Sequence, residues 1–70
     1  MFKIDACGRS CPEPVVMLKK AVDGGENPIE VTVDNNTAKE NIVKFFNHAG
    51  FSCEVKENTD AEEFIITGNK

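Results

Sequence analysis

The chain has 70 residues, with 12 acidic and 8 basic side chains and a formal net charge of −4. This length suits one small domain, which we expect to fill residues 1–70. The acidic balance argues against direct binding of nucleic acid, because phosphate contacts need a concentrated basic surface. No segment approaches the roughly 20 apolar residues of a membrane-spanning helix, so we expect no membrane insertion.

The first half of the chain predicts a strand, a helix and a second strand. Phe2 and Ile4 alternate with Lys3 and Asp5, as in a half-buried strand. A helix is predicted from Pro12 to about Val22, ending at Gly24-Gly25. Its inward residues are expected to be Val15, Leu18 and Val22, with Met17 and Ala21 beside them. The alternating residues Ile29 to Val33 predict the next strand.

The second half predicts another helix and two strands. Thr37 and Glu40 have the spacing of a capping box, and the helix is expected to run to about His48 and to end at Gly50. Its inward residues are expected to be Ala38, Ile42, Phe45, Phe46 and Ala49. Alternation from Phe51 to Lys56 predicts a third strand, residues 57–62 a loop, and residues 64–67 the last strand.

The predicted order is therefore β-α-β-α-β-β. The first two strands should be parallel, joined by a right-handed crossover, and the last two are close enough for a hairpin. Polar residues alternate along the strands, so one face of the sheet should be covered and both helices should lie on it. The predicted fold class is α+β, a two-layer α/β sandwich with a four-stranded mixed sheet.

The segment between the first strand and the first helix carries the candidate chemistry. Pro12 and Pro14 are typical of a helix entrance, which places Cys11 at or next to the N-cap. Unpaired N–H groups and the helix dipole favour negative charge there, so Cys11 should ionise readily, and the thiolate is the reactive form of cysteine. Gly8 permits a sharp backbone path. The alternative is that Cys11 is a small buried apolar residue.

The residues of this segment resemble a known family, the TusA-like sulfur carriers, also called SirA-like. The matching motif is Asp5-x-x-Gly8-x-x-Cys11-Pro12-x-Pro14, and a second match is Val33-Asp34-Asn35 followed by Ala38, Asn41 and Gly50. The second match resembles the branch similar to the amino-terminal domain of YedF. Two positions depart from the family pattern: Cys7 stands where arginine is frequent, and Arg9 where an apolar residue is common.

The resemblance implies a sulfurtransferase-like persulfide carrier rather than a self-contained enzyme. Cys11 would receive sulfane sulfur from a cysteine desulfurase or rhodanese-like protein and pass it to a second protein. The acceptors implied serve tRNA thiolation, molybdenum-cofactor, selenium or sulfur-uptake pathways. Asp5, Gly8, Pro12, Glu13 and Pro14 would support the site, and no cofactor is predicted. We further expect a monomer.

Two other functions remain open. One is a non-catalytic module that binds a partner through the sheet edge, and the other is a thiol–disulfide switch between Cys7 and Cys11. Cys7 either packs at the end of the first strand or acts as a resolving thiol that attacks a loaded Cys11. Asp34 and Asn35 are sufficiently explained as caps of the second helix, and Glu13 as a first-turn carboxylate that favours the helix dipole.

The remaining thiol and the histidine have plain interpretations. Cys53 alternates with Phe51 and Val55, which predicts core packing, and His48 lies near a helix end. The sequence contains four possible zinc ligands, Cys7, Cys11, Cys53 and His48, but their spacing matches no standard zinc motif. An odd number of cysteines and a start without a long apolar segment predict a cytoplasmic protein.

Overall fold

The computed structural model describes residues 2–8 and 13–70. Within them the chain forms four strands and two helices in the predicted order β-α-β-α-β-β. Their bounds are β1 Phe2–Asp5, α1 Glu13–Asp23, β2 Ile29–Val33, α2 Asn36–His48, β3 Ser52–Asn58 and β4 Glu63–Asn69. The predicted fold class, with a mixed four-stranded sheet and both helices on one face, is confirmed. None of the helices in these residues has the length and apolar character to cross a membrane.

The last strand lies inside the sheet and the third strand lies at its edge. The strand order is β1-β2-β4-β3, with β1 parallel to β2 and β4 antiparallel to both of its neighbours. β4 contains the apolar run Phe64-Ile65-Ile66, whereas β3 contains the charged residues Glu54, Lys56 and Glu57. Charged residues suit an edge strand, because they discourage pairing with further chains.

The core lies between the helices and the face of the sheet that they cover. Alternate residues of β2, namely Ile29, Val31 and Val33, are fully buried, and Ile66 of β4 joins them. The helices contribute Leu18 and Ala21 from α1 and Ala38, Ile42 and Phe46 from α2. Period-two burial along the strands and period-3.6 burial along the helices therefore meet in one apolar layer.

The buried stripe of α1 differs slightly from the predicted one. Its buried residues are Pro14, Leu18 and Ala21, whereas Val15 and Val22 are partly buried at the sides. The spacing of four and three residues keeps this set on one helix face. Pro14 can be buried in the first turn because it has no N–H group that needs a partner. The predicted start at Pro12 lies outside the described residues.

Of the caps predicted for α2, Asn35 is confirmed and the capping box at Thr37 is wrong. Asn35, with an extended backbone, is the N-cap, and its side-chain oxygen accepts a hydrogen bond of 2.7 Å from the backbone N–H of Ala38. Thr37 therefore lies inside the helix rather than before it. Asparagine is a better N-cap than threonine, which explains why the earlier position prevails. The predicted end is confirmed, since α2 stops at His48 and Gly50 follows with φ 81°.

β3 and β4 are longer than predicted and pack closely at one end of the sheet. The ladder extends to the pair Asn58 and Glu63, so the loop is confined to residues 59–62. At the other end of the hairpin, Gly68 lies against the ring of Phe46, and a Cβ atom at this position would overlap the ring. Phe46 also contacts Phe51, with the ring centroids 5.4 Å apart.

Candidate functional site

The candidate site lies at the end of the sheet where β1 and β2 finish, called here the loop end. Parallel strands bring their carboxyl ends to the same edge, so Asp5 and Asp34 emerge together. β4 runs antiparallel to β2, and its first residue, Glu63, therefore lies at this end as well. The connection from β1 to α1 starts here. It is described as far as Gly8, and Cys11 and Pro12 lie outside the described residues.

Three carboxylates hold the first part of this connection. The backbone N–H of Cys7 donates to Asp5 Oδ1 at 3.1 Å, and the Cys7 thiol donates to Glu63 Oε2 at 3.3 Å. The backbone N–H of Gly8 donates to Asp34 Oδ2 at 2.8 Å. We call Asp5, Asp34 and Glu63 the carboxylate clamp, because together they tie two consecutive residues to three different strand ends.

The local sequence explains how the chain enters the clamp. An aspartate side chain readily accepts a hydrogen bond from the backbone two residues later, as Asp5 does from Cys7. Gly8 then adopts φ 75°, a left-handed conformation that side chains with a Cβ rarely adopt. The sharp backbone path expected at Gly8 is therefore present, at the residue whose N–H donates to Asp34.

The environment of Cys7 keeps its thiol protonated. Burial, and after it the hydrogen bonds and negative charges of Glu63 and Asp5, together raise the pKa of Cys7 from the ordinary value of 9.0 to about 12. Burial and negative charge both disfavour the thiolate. Because the thiolate is the nucleophilic form, Cys7 is a weak nucleophile at neutral pH and acts as a hydrogen-bond donor instead.

Helix α1 resumes the described chain on the other side of Cys11. Glu13 is its first residue and is exposed, and Pro14 is buried beneath the first turn. A carboxylate in the first turn interacts favourably with the helix dipole. Cys11 precedes Glu13 by two residues in the sequence, so its position at or next to the N-cap stays a prediction.

Cys53 lies at the opposite end of the sheet from Cys7. It pairs with Gly68 of β4, packs partly buried against the core, and its thiol lies 3.9 Å from Asn47 Oδ1. This position lies five residues along β4, roughly 17 Å, from Glu63, the partner of Cys7. The fold does not bring these two thiols together, and the described residues contain no group of three or more possible metal ligands.

Two residues of the clamp were not predicted. Asp34 had been explained as a helix cap, yet Asn35 caps α2 and Asp34 binds the connection after β1. The pairing of parallel strands offered a signal, since residues that follow neighbouring parallel strands emerge side by side. Glu63 had no such signal, because 56 residues separate it from Cys7 and its place depends on where β4 pairs.

Known proteins resemble the chain over almost its full length. The sequence model of the family described as "Sulfurtransferase TusA" matches residues 2–70. A protein of Methanocaldococcus jannaschii, described as a candidate sulfur carrier, is 36% identical over 69 residues, which cover 94% of this chain and 91% of that protein.

The fold also matches that of a solved structure. The crystal structure of a SirA-like protein from Desulfitobacterium hafniense superposes with a TM-score of 0.86 at 33% sequence identity. The match covers 99% of this chain and 96% of the other. Family match, sequence identity and fold agree, and the chain therefore belongs to the TusA sulfurtransferase family.

Proposed function

We propose that this protein accepts sulfane sulfur as a persulfide on Cys11 and relays it from a donor protein to an acceptor protein. One observation carries the proposal: in a chain of the TusA family, Cys11 stands two residues before the first residue of α1. Helix N-termini stabilise anions through unpaired N–H groups and the helix dipole. A thiolate or persulfide anion on Cys11 would gain from that field.

The transfer needs no cofactor or external oxidant. The Cys11 thiolate attacks the outer sulfur of a donor persulfide, a new S–S bond forms on Cys11, and the S–S bond of the donor breaks. The donor leaves as a thiolate, so atoms and electrons balance. Release is the same exchange with Cys11 as the donor. A nucleophile of the acceptor attacks the outer sulfur, the S–S bond on Cys11 breaks, and Cys11 leaves as a thiolate.

The structure favours a supporting role for Cys7 over the resolving role. A resolving thiol has to attack as a thiolate, whereas the Cys7 thiol donates to Glu63 and its pKa is raised to about 12. A thiol in this state leaves a persulfide on Cys11 intact. This property suits a carrier, which must keep its cargo until the acceptor binds.

Donor and acceptor partners complete the proposal. The donor is a cysteine desulfurase or a rhodanese-like protein, and the acceptor serves tRNA thiolation, molybdenum-cofactor, selenium or sulfur-uptake chemistry. We place the protein in the cytoplasm as a monomer, nearest to the YedF-like branch of the family. With a net charge of −4, it would reach any RNA through a partner protein rather than directly.

Mass spectrometry tests the relay. Incubation with a cysteine desulfurase and free cysteine should add one sulfur atom to the Cys11 peptide, and a reductant should remove it, as expected of a persulfide. Cys11→Ser should not load, whereas the matched variant Cys53→Ser should load like the native protein. Failure of the native protein to load from several unrelated persulfide donors would contradict the proposal, and partner binding that survives in Cys11→Ser without transfer would indicate an interaction module.

A further inference from the structure

We infer that Asp34 is a positioning residue for sulfur transfer, which holds the backbone of Gly8, three residues before Cys11, at the end of β2. The inference rests on the proposed persulfide chemistry of Cys11. Asp34 is not expected to contact the sulfur itself. Its effect would act through the backbone of the connection between β1 and α1.

The bond from Gly8 to Asp34 continues the pairing of β1 with β2 beyond the strands. Asp5 pairs with Thr32, and the backbone N–H of Ala6 donates to the carbonyl of Thr32 at 2.8 Å. Two residues beyond Ala6 and two beyond Thr32, the Gly8 N–H donates to the Asp34 side chain, also at 2.8 Å. A carboxylate thus takes the place of a backbone carbonyl and holds the turn after β1 in register.

The adjacent contacts show that Asp34 is placed for this role. Asn35 caps α2, so the helix start is satisfied by another residue. The Asn35 amide also donates to Asp34 Oδ1 at 3.3 Å, which steadies the carboxylate and leaves Oδ2 to accept from Gly8. Asp5 and Glu63 hold the preceding residue, Cys7, through its backbone and its thiol.

The geometry of the chain limits how far the held turn lies from the reactive cysteine. Cys11 follows Gly8 by three residues, and three residues span at most about 11 Å. The same segment is joined to α1 at Glu13 on its other side. Gly8 and Glu13, the described residues on either side of positions 9–12, are both held by the fold, and the bond to Asp34 holds Gly8. Small displacements of a reacting group are costly in transfer reactions, which makes this attachment consequential.

Removing the acceptor should slow loading without unfolding the protein. We expect Asp34→Ala to load with sulfur about three- to tenfold more slowly from a fixed cysteine desulfurase, in line with the net contribution of one solvent-exposed hydrogen bond. Asp34→Asn retains an oxygen that can accept from Gly8 and should load at an intermediate rate. Asp23→Asn is the matched control, since it removes the same charge at the exposed end of α1, where Asp23 pairs with Lys19 at 2.8 Å.

A second measurement reports the bond directly. In the native protein the hydrogen exchange of the Gly8 amide should be slow. This protection should be lost in Asp34→Ala and kept in Asp23→Asn. Circular dichroism should show that α2 persists in each variant, and the Asn variant serves if the Ala variant loses structure.

The outcomes separate the positioning role from the relay. The role of Asp34 would be overturned if Asp34→Ala loaded as fast as the native protein, or if the control Asp23→Asn loaded as slowly as Asp34→Ala. Either result would leave the relay intact. Native protein that fails to load would overturn the relay, and with it the positioning role. Slower loading of Asp34→Ala together with loss of Gly8 protection would support the inference.

Discussion

At the loop end of the sheet, carboxylates hold the chain through hydrogen bonds, whereas at the opposite end aromatic rings hold it through packing. The loop end has Asp5, Asp34 and Glu63 around Cys7 and Gly8. The opposite end has Phe46 enclosed by Gly68 and Phe51. Buried apolar contacts contribute most to stability, whereas exposed polar contacts contribute little but direct the backbone.

This difference matters for how the protein works. Loops with low local stability are where binding and chemistry usually lie, on a scaffold that is stabilised elsewhere. The connection that leads towards Cys11 begins at the loop end, and the packing around Phe46 keeps the fold intact at the opposite end. Changes at the aromatic end should therefore unfold the protein, and changes at the carboxylate end should alter reactivity first.

The largest effect should come from adding one carbon atom at the aromatic end. In Gly68→Ala the new Cβ would overlap the Phe46 ring, and we expect a loss of about 3 kcal/mol in the free energy of unfolding, measured by urea denaturation. Gly25→Ala is the control: it has a left-handed φ of 80° but open space around its Cβ, and should cost only about 1 kcal/mol.

A double variant sharpens this test. Phe46→Leu replaces the ring that the new Cβ meets with a smaller side chain. The double variant with Gly68→Ala should therefore lose less free energy of unfolding than the sum of the two single changes. Strictly additive losses would show that the close approach of Gly68 to Phe46 does not decide stability there.

An intermediate effect is expected from the cap of α2, which is the stabilising polar contact at the loop end. Asn35→Ala removes the acceptor for the Ala38 N–H and should lower the free energy of unfolding by about 1 kcal/mol. Thr37→Ala is the control and should cost less, because Thr37 lies within the helix. A larger loss of stability in Thr37→Ala than in Asn35→Ala, measured by urea denaturation, would indicate that Thr37 is the cap of α2.

A separate effect concerns pH and Cys7. The pKa of Cys7 is about 12 in the folded protein against an ordinary value of 9.0, so the folded state keeps a proton that the unfolded chain loses. The contribution of the protonated Cys7 thiol to the free energy of unfolding is therefore fully present below pH 9, and it is lost as pH rises towards 12. The difference in stability between the native protein and Cys7→Ser should therefore narrow across this interval.

Glu63→Gln supplies the matched comparison for Cys7. It keeps an acceptor oxygen but removes the negative charge beside the thiol, so the Cys7 pKa should fall and alkylation of Cys7 at mildly alkaline pH should become faster. An unchanged rate of Cys7 alkylation would show that Glu63 does not control this thiol. A stability difference from Cys7→Ser that widens with pH would contradict the sign of the shift.

Local patterns were sufficient to predict most of the elements. Alternation in residues 29–33 and the glycine at position 50 predicted β2 and the end of α2, and both are confirmed. The capping box at Thr37 was wrong because Asn35 and Thr37 are both capping residues and compete within three positions. The reactivity of Cys11, the role of Cys7 and the likeness to YedF stay predictions.

The sequence by itself determined the order of strands and helices and the covered face of the sheet, because these depend on the spacing of neighbouring side chains. Only the tertiary structure decided that β4 pairs with β2, since either arm of the hairpin had the length to do so. That pairing brings Glu63 to Cys7 across 56 residues, and the parallel pairing of β1 with β2 brings Asp34 to Gly8 across 26. Contacts of this kind depend on which strands become neighbours, a choice made by the burial of the whole sheet rather than by any local pattern.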